Sequence, residues 1–400
     1  MTVVLKFGGS SVATTDKMKE VAQLILRRKE QYGRVVVVVS AMGDTTDNLL
    51  SMASRLATKA DSREVDVLLS SGELVSASLL ALHLISLGYP AASFTGFQAG
   101  FKTVGLHRKS QIKELDPCRV EQALDQGRIA VVAGFQGMNE QGEITTLGRG
   151  GSDTSAVALA ARLGCPCEIY TDVAGIYSVD PRVRPKAKKL AEVTYEEAVE
   201  MAYLGARVIE PRSVELAAKY RVPLYIALNT GEIAGTRIIA KEEFTVAENM
   251  EALQLTNISE IDQVLLVNIE ELGRGDRRVP RCFNRLAESG VNLDLINQML
   301  TDEDLSAVSF TTSMEDKDEV VKILDEFSFT YSLLGNLSKL SIIGSAMRHQ
   351  VGVAAEAFRI FAEAGVNFYM VSTSDISISY VVDSKDCKIM VNRLADVFGL

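Results

Sequence analysis

The 400-residue chain holds only three histidines (His83, His107 and His349), and none stands beside a serine or cysteine nucleophile motif. Chemistry in which a nucleophile needs a general base is therefore not expected, and the histidines read as packing or surface residues. Five cysteines (Cys118, Cys165, Cys167, Cys282 and Cys387) are scattered without a CxxC. Cys165-Pro-Cys167 lacks partners at zinc-site spacing, so the thiols are expected to be buried and reduced. No apolar run approaches the ~18–20 residues of a membrane span. The opening MTVVLKFGGSS, with Lys6 inside its apolar run, fits neither a signal peptide nor an anchor. Positive charge is not in excess either: a formal net charge of −10 argues against a nucleic-acid or anionic-membrane partner. The expected location is cytoplasmic. Absent motifs narrow the field further. Without GxxxxGK[ST] this is not a P-loop enzyme, and without HRD or DFG it is not built like a protein kinase. Gly148-Arg149-Gly150 lacks a glycine at position 153, so the dinucleotide fingerprint fails.

What remains is an ordinary globular composition, 47% hydrophobic and 24% charged, long enough for about two to three domains. Strand after strand runs into a loop of Gly, Ser, Thr or Asp and then a helix. Val3–Phe7 ends in Gly8-Gly9-Ser10-Ser11. The five valines Val35–Val39, expected in a parallel strand buried on both faces, end in Ser40-Ala41-Met42-Gly43-Asp44-Thr45-Thr46. Ile129–Phe135 ends in a glycine turn, Glu168–Thr171 ends at Asp172, and Pro223–Leu228 completes the set. This is an α/β domain with a largely parallel sheet, whose ligands sit beyond the carboxyl ends of the strands. The central stretch is TTLGRGGSDTSAVALAA from Thr145 to Ala161. There Gly150 and Gly151 let backbone approach a ligand, and Ser152 or Asp153 is expected to cap the helix. Arg149 offers a planar fork for a carboxylate or phosphate. Lys6 is either an edge residue or part of an anion site, and the glycine-serine turn after it favours the anion site. Glu73, among leucines of a helix expected over 63–87, is either exposed or faces a pocket; both readings stay open.

Beyond the polar stretch 241–249 the chain repeats. Phe283, Ala287, Glu288, Gly290, Val291 and Asn292 recur 75 residues later as Phe358, Ala362, Glu363, Gly365, Val366 and Asn367. Two βαβ-type units of this size suggest small ferredoxin-like sensing modules. The Gly-Val-Asn turns could grip the ammonium and carboxylate of an amino acid, with Asp294 and Gln298 supplying specificity in the first copy.

Lys6-Phe7-Gly8-Gly9-Ser10-Ser11, Ser40-Ala41-Met42-Gly43, Ser71-Gly72-Glu73, TTLGRGGSDT from Thr145 and Tyr170-Thr171-Asp172-Val173-Ala174-Gly175-Ile176-Tyr177, taken in this order, resemble the aspartate kinases. With the repeat, the likeness is to single-activity, feedback-regulated forms and spans essentially the whole chain. It implies an α/β fold: an amino-acid-kinase-type, mostly parallel sheet flanked by helices (1–245), a joining segment (246–262), and two βαββαβ ACT modules (263–337 and 338–400). It implies ATP-dependent phosphorylation of the L-aspartate β-carboxylate with Mg2+, inhibition by lysine and/or threonine, and a homodimer or larger assembly through the ACT modules. A separate regulatory subunit starting near Met250 is also open. The family roles fall on Lys6 and Asp153 for catalysis. Lys6, Gly8, Gly9, Ser10, Thr171, Asp172, Tyr177, Arg182 and Arg207 would take the nucleotide. Ser40, Thr45, Glu73, Arg149, Gly150, Gly151 and Ser152 would take aspartate. From the repeat's own turns, Asn292, Asp294, Gln298 and Asn367 are expected to take the effector. One departure is plain: many members carry His-Pro-Arg where this chain has Glu210-Pro211-Arg212. The rival readings are a kinase of the same superfamily for acetylglutamate, glutamate, carbamate or uridylate, and a catalytically silent amino-acid sensor.

Overall fold

The structure, a computed structural model, describes residues 1–57, 60–148, 150–206, 208–243, 255–300, 305–344, 347 and 352–400. It divides into two units, Met1–Tyr177 with Lys189–Met250, and Ser178–Lys188 with Glu251–Leu400.

The first unit is built on an eight-stranded sheet. Its order from edge to edge is Glu192–Thr194, Thr236–Ile239, Leu224–Leu228, Cys167–Thr171, Thr2–Phe7, Arg34–Val39, Ile129–Ala133 and Ala91–Phe94. All pairings are parallel except that of Leu224–Leu228 with Thr236–Ile239. The five valines of Arg34–Val39 are fully buried because that strand is covered on both faces. Thr2–Phe7 lies at the centre. The chain leaves it towards Arg34–Val39 on one side and returns to its other side with Cys167–Thr171. That reversal opens a crevice at its carboxyl end, where open parallel sheets bind ligands.

Side chains alternate along the central strand. Val3, Leu5 and Phe7 pack with Met18, Ile25, Leu80 and Leu84 from the helices Thr15–Tyr32 and Ser62–Ser86. Lys6 therefore belongs to the opposite face, where the helix Gly151–Leu163 lies. That helix is buried on every side from Gly151 to Ala160. Its N-cap is Gly150, in a left-handed conformation at φ 64, rather than Ser152 or Asp153. A glycine can make that turn one residue earlier than a side-chain cap requires, so Ser152 and Asp153 fall inside the first turn. The capping box at Thr194 and Glu197 forms as the sequence suggests.

The helix Ser62–Ser86 corrects one expectation. By length and composition it is apolar enough to cross a membrane, with mean hydropathy 1.6 over its best window. It nonetheless buries Asp66 and Glu73 and packs on the sheet, and so it reads as a core helix of this unit.

The second unit is a six-stranded antiparallel sheet, ordered Ile296–Leu300, Leu305–Ser313, Asn257–Gly273, Thr330–Ile343, Ser377–Asp383 and Phe368–Thr373. The helices Arg278–Glu288 and Lys317–Glu326 cover the first repeat, Val353–Ala364 and Ser384–Phe398 the second. The repeats interlock. The beginning of the strand Asn257–Gly273 pairs with Lys339–Ile343 of the second repeat, and its end pairs with Thr330–Leu334 of the first. Register breaks at Gln263 (φ 60) and Asn336 (φ 57) mark the change. The excursion Ser178–Lys188 also packs into this unit, with Val179 in its core and the Ile258 N–H donating to Ser178 O at 2.8 Å.

Candidate active site

Lys6 is 9% exposed, and its Nζ lies 2.6 Å from Asp153 Oδ1. A strand end and a helix entrance thus meet through one buried ion pair, the arrangement that lets a lysine sit in an otherwise apolar strand. The ammonium also hangs over the glycine turn, 3.5 Å from where a Cβ on Gly8 would be. Gly9 passes so close to the next loop that a Cβ there would stand 2.8 Å from Ala41 O. The Gly43 N–H donates to Gly9 O at 3.0 Å, which ties the two loops together.

That second loop carries the chain of contacts to Glu73. The Ala41 N–H donates to Glu73 Oε1 at 3.3 Å. Thr45, whose hydroxyl donates to Met42 O at 2.5 Å, packs by its methyl near Gly72. Ser40 is half-buried at the end of its strand. Glu73 is 4% exposed and its Oε2 has no protein donor among the described residues. Burial pushes its carboxyl up to about 7, against the smaller opposing pull of backbone N–H groups, its own and that of Ala41. Of the two readings of Glu73, the structure favours the buried one. A buried carboxylate with a free oxygen is a receptor for a cation.

On the other side, Gly134 packs against Ser152, and the Phe135 N–H donates to Ser155 Oγ at 3.0 Å. Gly150, Gly151, Ser152 and Asp153 form the N-terminus of the helix Gly151–Leu163, where amide dipoles favour anions. Thr171 ends its strand and donates to Asp172 Oδ1 at 3.0 Å. Tyr177 follows in the same unit, bridging to Lys189. Arg182 falls in the second unit, engaged with Asp180 and 81% exposed along its side chain. Arg149 and Arg207 lie outside the described residues. Asn292, Asp294, Gln298 and Asn367 are all exposed and lie in the second unit.

Four residues of this neighbourhood were not singled out from the sequence as site residues. Asn229 joins two loops: its Nδ2 donates to Ser11 Oγ at 3.1 Å and its N–H to Thr171 O at 2.9 Å. Asp66, fully buried, accepts from Thr146 Oγ1 at 2.6 Å, from the N–H groups of Thr146 and Arg108, and pairs with His107 Nδ1 at 2.8 Å. It fixes the strand that leads into the glycine turn, and His107 is part of that network rather than mere packing. Arg212 donates to Leu147 O at 3.1 Å and to Ser110 O, holding the same entry. Glu210 lies against Gly150, and burial, with Asp153 nearby, raises its carboxyl. A signal existed for Asp66, a lone acid in an apolar helical run like Glu73. None existed for Asn229.

Residues 1–228 match the amino acid kinase family, and residues 340–398 match the ACT domain. The chain is 42% identical over 400 residues to an aspartokinase of Geobacillus stearothermophilus, a match that covers 100% of this chain and 97% of the relative. Its fold is similar to that of E. coli aspartokinase III in complex with aspartate and ADP (R-state), with TM-score 0.82 and 25% identity over 99% of both chains. The same enzyme with lysine and aspartate (T-state) matches with TM-score 0.77 and 25% identity, again over 99% of both chains.

Proposed function

The chain belongs to the amino acid kinase family, among its aspartokinases, and from that premise we propose how its own residues phosphorylate L-aspartate. The observation that carries the reading is the pairing of two receptors at one crevice. One is the anion site of Lys6, Asp153 and the glycine loops. The other is the buried Glu73 carboxylate, whose Oε2 has no partner among the described residues. The second receptor is what a free amino acid needs and what carbamate, uridylate or an acylated amino acid would leave unpaired.

The β-carboxylate of aspartate, with an ordinary pKa near ~3.9, is already ionised at neutral pH. It attacks the γ-phosphorus of ATP, the bond to the β–γ bridging oxygen breaks, and ADP leaves. No base is required, so rate comes from aligning two anions and spreading the charge of the moving phosphoryl group. Lys6 meets that charge, held in place by Asp153. Gly9 and Ser10 cradle the phosphates with backbone N–H groups, and Gly8, whose own N–H donates to Tyr170 O at 3.4 Å, lets the turn pass beneath Lys6. Glu73 takes the substrate's ammonium, while Ser40, Thr45 and the turn Gly150-Gly151-Ser152 line its pocket, and Arg149 would clamp the substrate carboxylate. Thr171 and Asp172 face the nucleotide from the neighbouring strand end. For Arg149, Tyr177, Arg182 and Arg207 the support is the sequence motif alone.

A magnesium ion arriving with ATP would be held chiefly by phosphate oxygens with one or two carboxylates, and Asp153 and Glu210, at the helix entrance, are the carboxylates that would hold it. The ion would draw negative charge off the phosphates. The ACT region supplies amino-acid feedback, with lysine or threonine as the effectors to test. Every residue of the strand Ile296–Leu300 is exposed at the sheet's edge, which supports pairing of these modules between subunits.

The test is ADP release with Mg-ATP and a panel of aspartate, glutamate, acetylglutamate, carbamate and uridylate, repeated with lysine, threonine and both. Aspartate-dependent turnover is expected. Turnover with acetylglutamate equal to that with aspartate would refute the role given to Glu73.

A further inference from the structure

The sequence offers Asp294, with Gln298, as a source of side-chain specificity for an effector in the first repeat. In the structure that acid is already engaged. Lys339 Nζ donates to Asp294 Oδ2, and Lys339 is 2% exposed. The lysine stands on the strand Thr330–Ile343 opposite Val381 and Ile261. It shares a sheet face with Leu337 and Val381, which cluster with Val264, Leu266 and Met370. Lys339 is enclosed within the fold, and losing Asp294 would leave a buried ammonium uncompensated.

Asp294 is equally fixed. Its N–H donates to Thr311 O at 2.9 Å, and the next N–H, of Leu295, donates to Thr311 Oγ1 at 3.0 Å. Its side chain keeps 41% of its surface open, so a ligand beside the Gly290-Val291-Asn292 turn meets a carboxylate whose charge an internal lysine has cancelled. A second ammonium arriving at Asp294 would find its charge already neutralised by Lys339. An amino acid with an uncharged side chain brings only its zwitterionic head and makes no demand on Asp294; in the turn itself the Gly290 and Val291 N–H groups already donate to Ala287 O and Leu286 O at 3.0 Å.

We propose that Lys339 is a specificity-determining residue, closing the first repeat to cationic amino acids and leaving it to uncharged ones such as hydroxy amino acids. This rests on the effector reading above.

Titration calorimetry on the full-length protein with lysine and with threonine, for wild type, Lys339→Met and Lys339→Gln, tests it. Freeing Asp294 should add a lysine-binding equivalent per chain, or tighten lysine at least about tenfold, the scale of one charge-assisted hydrogen bond. Threonine should change far less. Lys339→Gln keeps a donor to Asp294 and serves if the methionine variant does not fold. The double variant Lys339→Met/Asp294→Asn should lose the gain. Lysine binding with unchanged number and affinity in both single variants would overturn the proposal while leaving the effector reading intact. No binding of either amino acid to any variant would overturn both.

Discussion

Replacing Glu73 by Gln should make the protein more stable and worse at its task, and the balance should turn with pH. In the folded state burial raises this carboxyl from an ordinary 4.5 to about 7. The folded state therefore binds the proton more tightly than the unfolded chain does. Below about pH 4.5 both states are protonated and nothing is lost. As pH rises from there through 7, stability falls, and above 7 the full cost of a buried, unpaired carboxylate is present. At ~1.4 kcal/mol per tenfold change in proton affinity, that cost is ~3 kcal/mol. Glutamine abolishes it but leaves a buried amide N–H without an acceptor, which returns ~1–2 kcal/mol. A net gain of ~1–2 kcal/mol at pH 8 corresponds to a rise in Tm of ~3–6 °C. At pH 5 the gain should vanish or invert. KM for aspartate should rise by ~10²-fold in the variant, because the ammonium loses its buried counter-charge. In the wild type the same constant should climb below pH 7, by up to about tenfold per unit, as the carboxyl takes a proton, while KM for ATP stays level. Thermal melts from pH 5 to 8.5 beside steady-state ADP release measure both arms. A Tm difference independent of pH, or a variant whose KM for aspartate matches wild type, would refute the placement of Glu73.

Three further outcomes follow from the geometry. Lys6→Ala and Asp153→Ala should each lower kcat by ~10²-fold or more, the scale of lost preorganised charge in a dry site; a Lys6→Ala enzyme with near-wild-type kcat in single-turnover assays would remove Lys6 from the reaction. Gly150→Ala should cut activity and stability together, since its left-handed turn disfavours a side chain and the new methyl would collide with Glu210. Adding Glu210→Ala should recover only the collision part, measured as a non-additive coupling in urea melts of the double-mutant cycle. Asn229→Ala should raise KM for ATP about fivefold, by loosening Ser11 from the neighbouring strand end, and leave KM for aspartate near its starting value; equal changes in both would assign Asn229 a general structural role.

The apolar run Val3–Phe7 with its one lysine, the valine run and the glycine turns after strands are local patterns, and they point to the α/β class. The 75-residue spacing settled the duplicated second region in the same way. Local pattern also marked Lys6, a lysine inside an apolar strand, but it offered Asp153 as a helix cap, and only the family likeness gave that acid a part in catalysis. Local pattern could not say that they meet. Lys6 and Asp153 are 147 positions apart, and only the face chosen by the helix Gly151–Leu163 brings them to 2.6 Å. Burial of Glu73 was undecided for the same reason, because whether a helix position faces water depends on which elements dock around it. The interlocking of the two repeats, the excursion Ser178–Lys188 and the capture of Asp294 by Lys339 were invisible in the chain. Each depends on contacts between segments remote in sequence, and no periodicity encodes which of several apolar or charged neighbours a residue will meet. Residue type and spacing determined what chemistry this protein can do. Tertiary packing alone decided which charges are paired, which are left free for a substrate, and which are already spoken for.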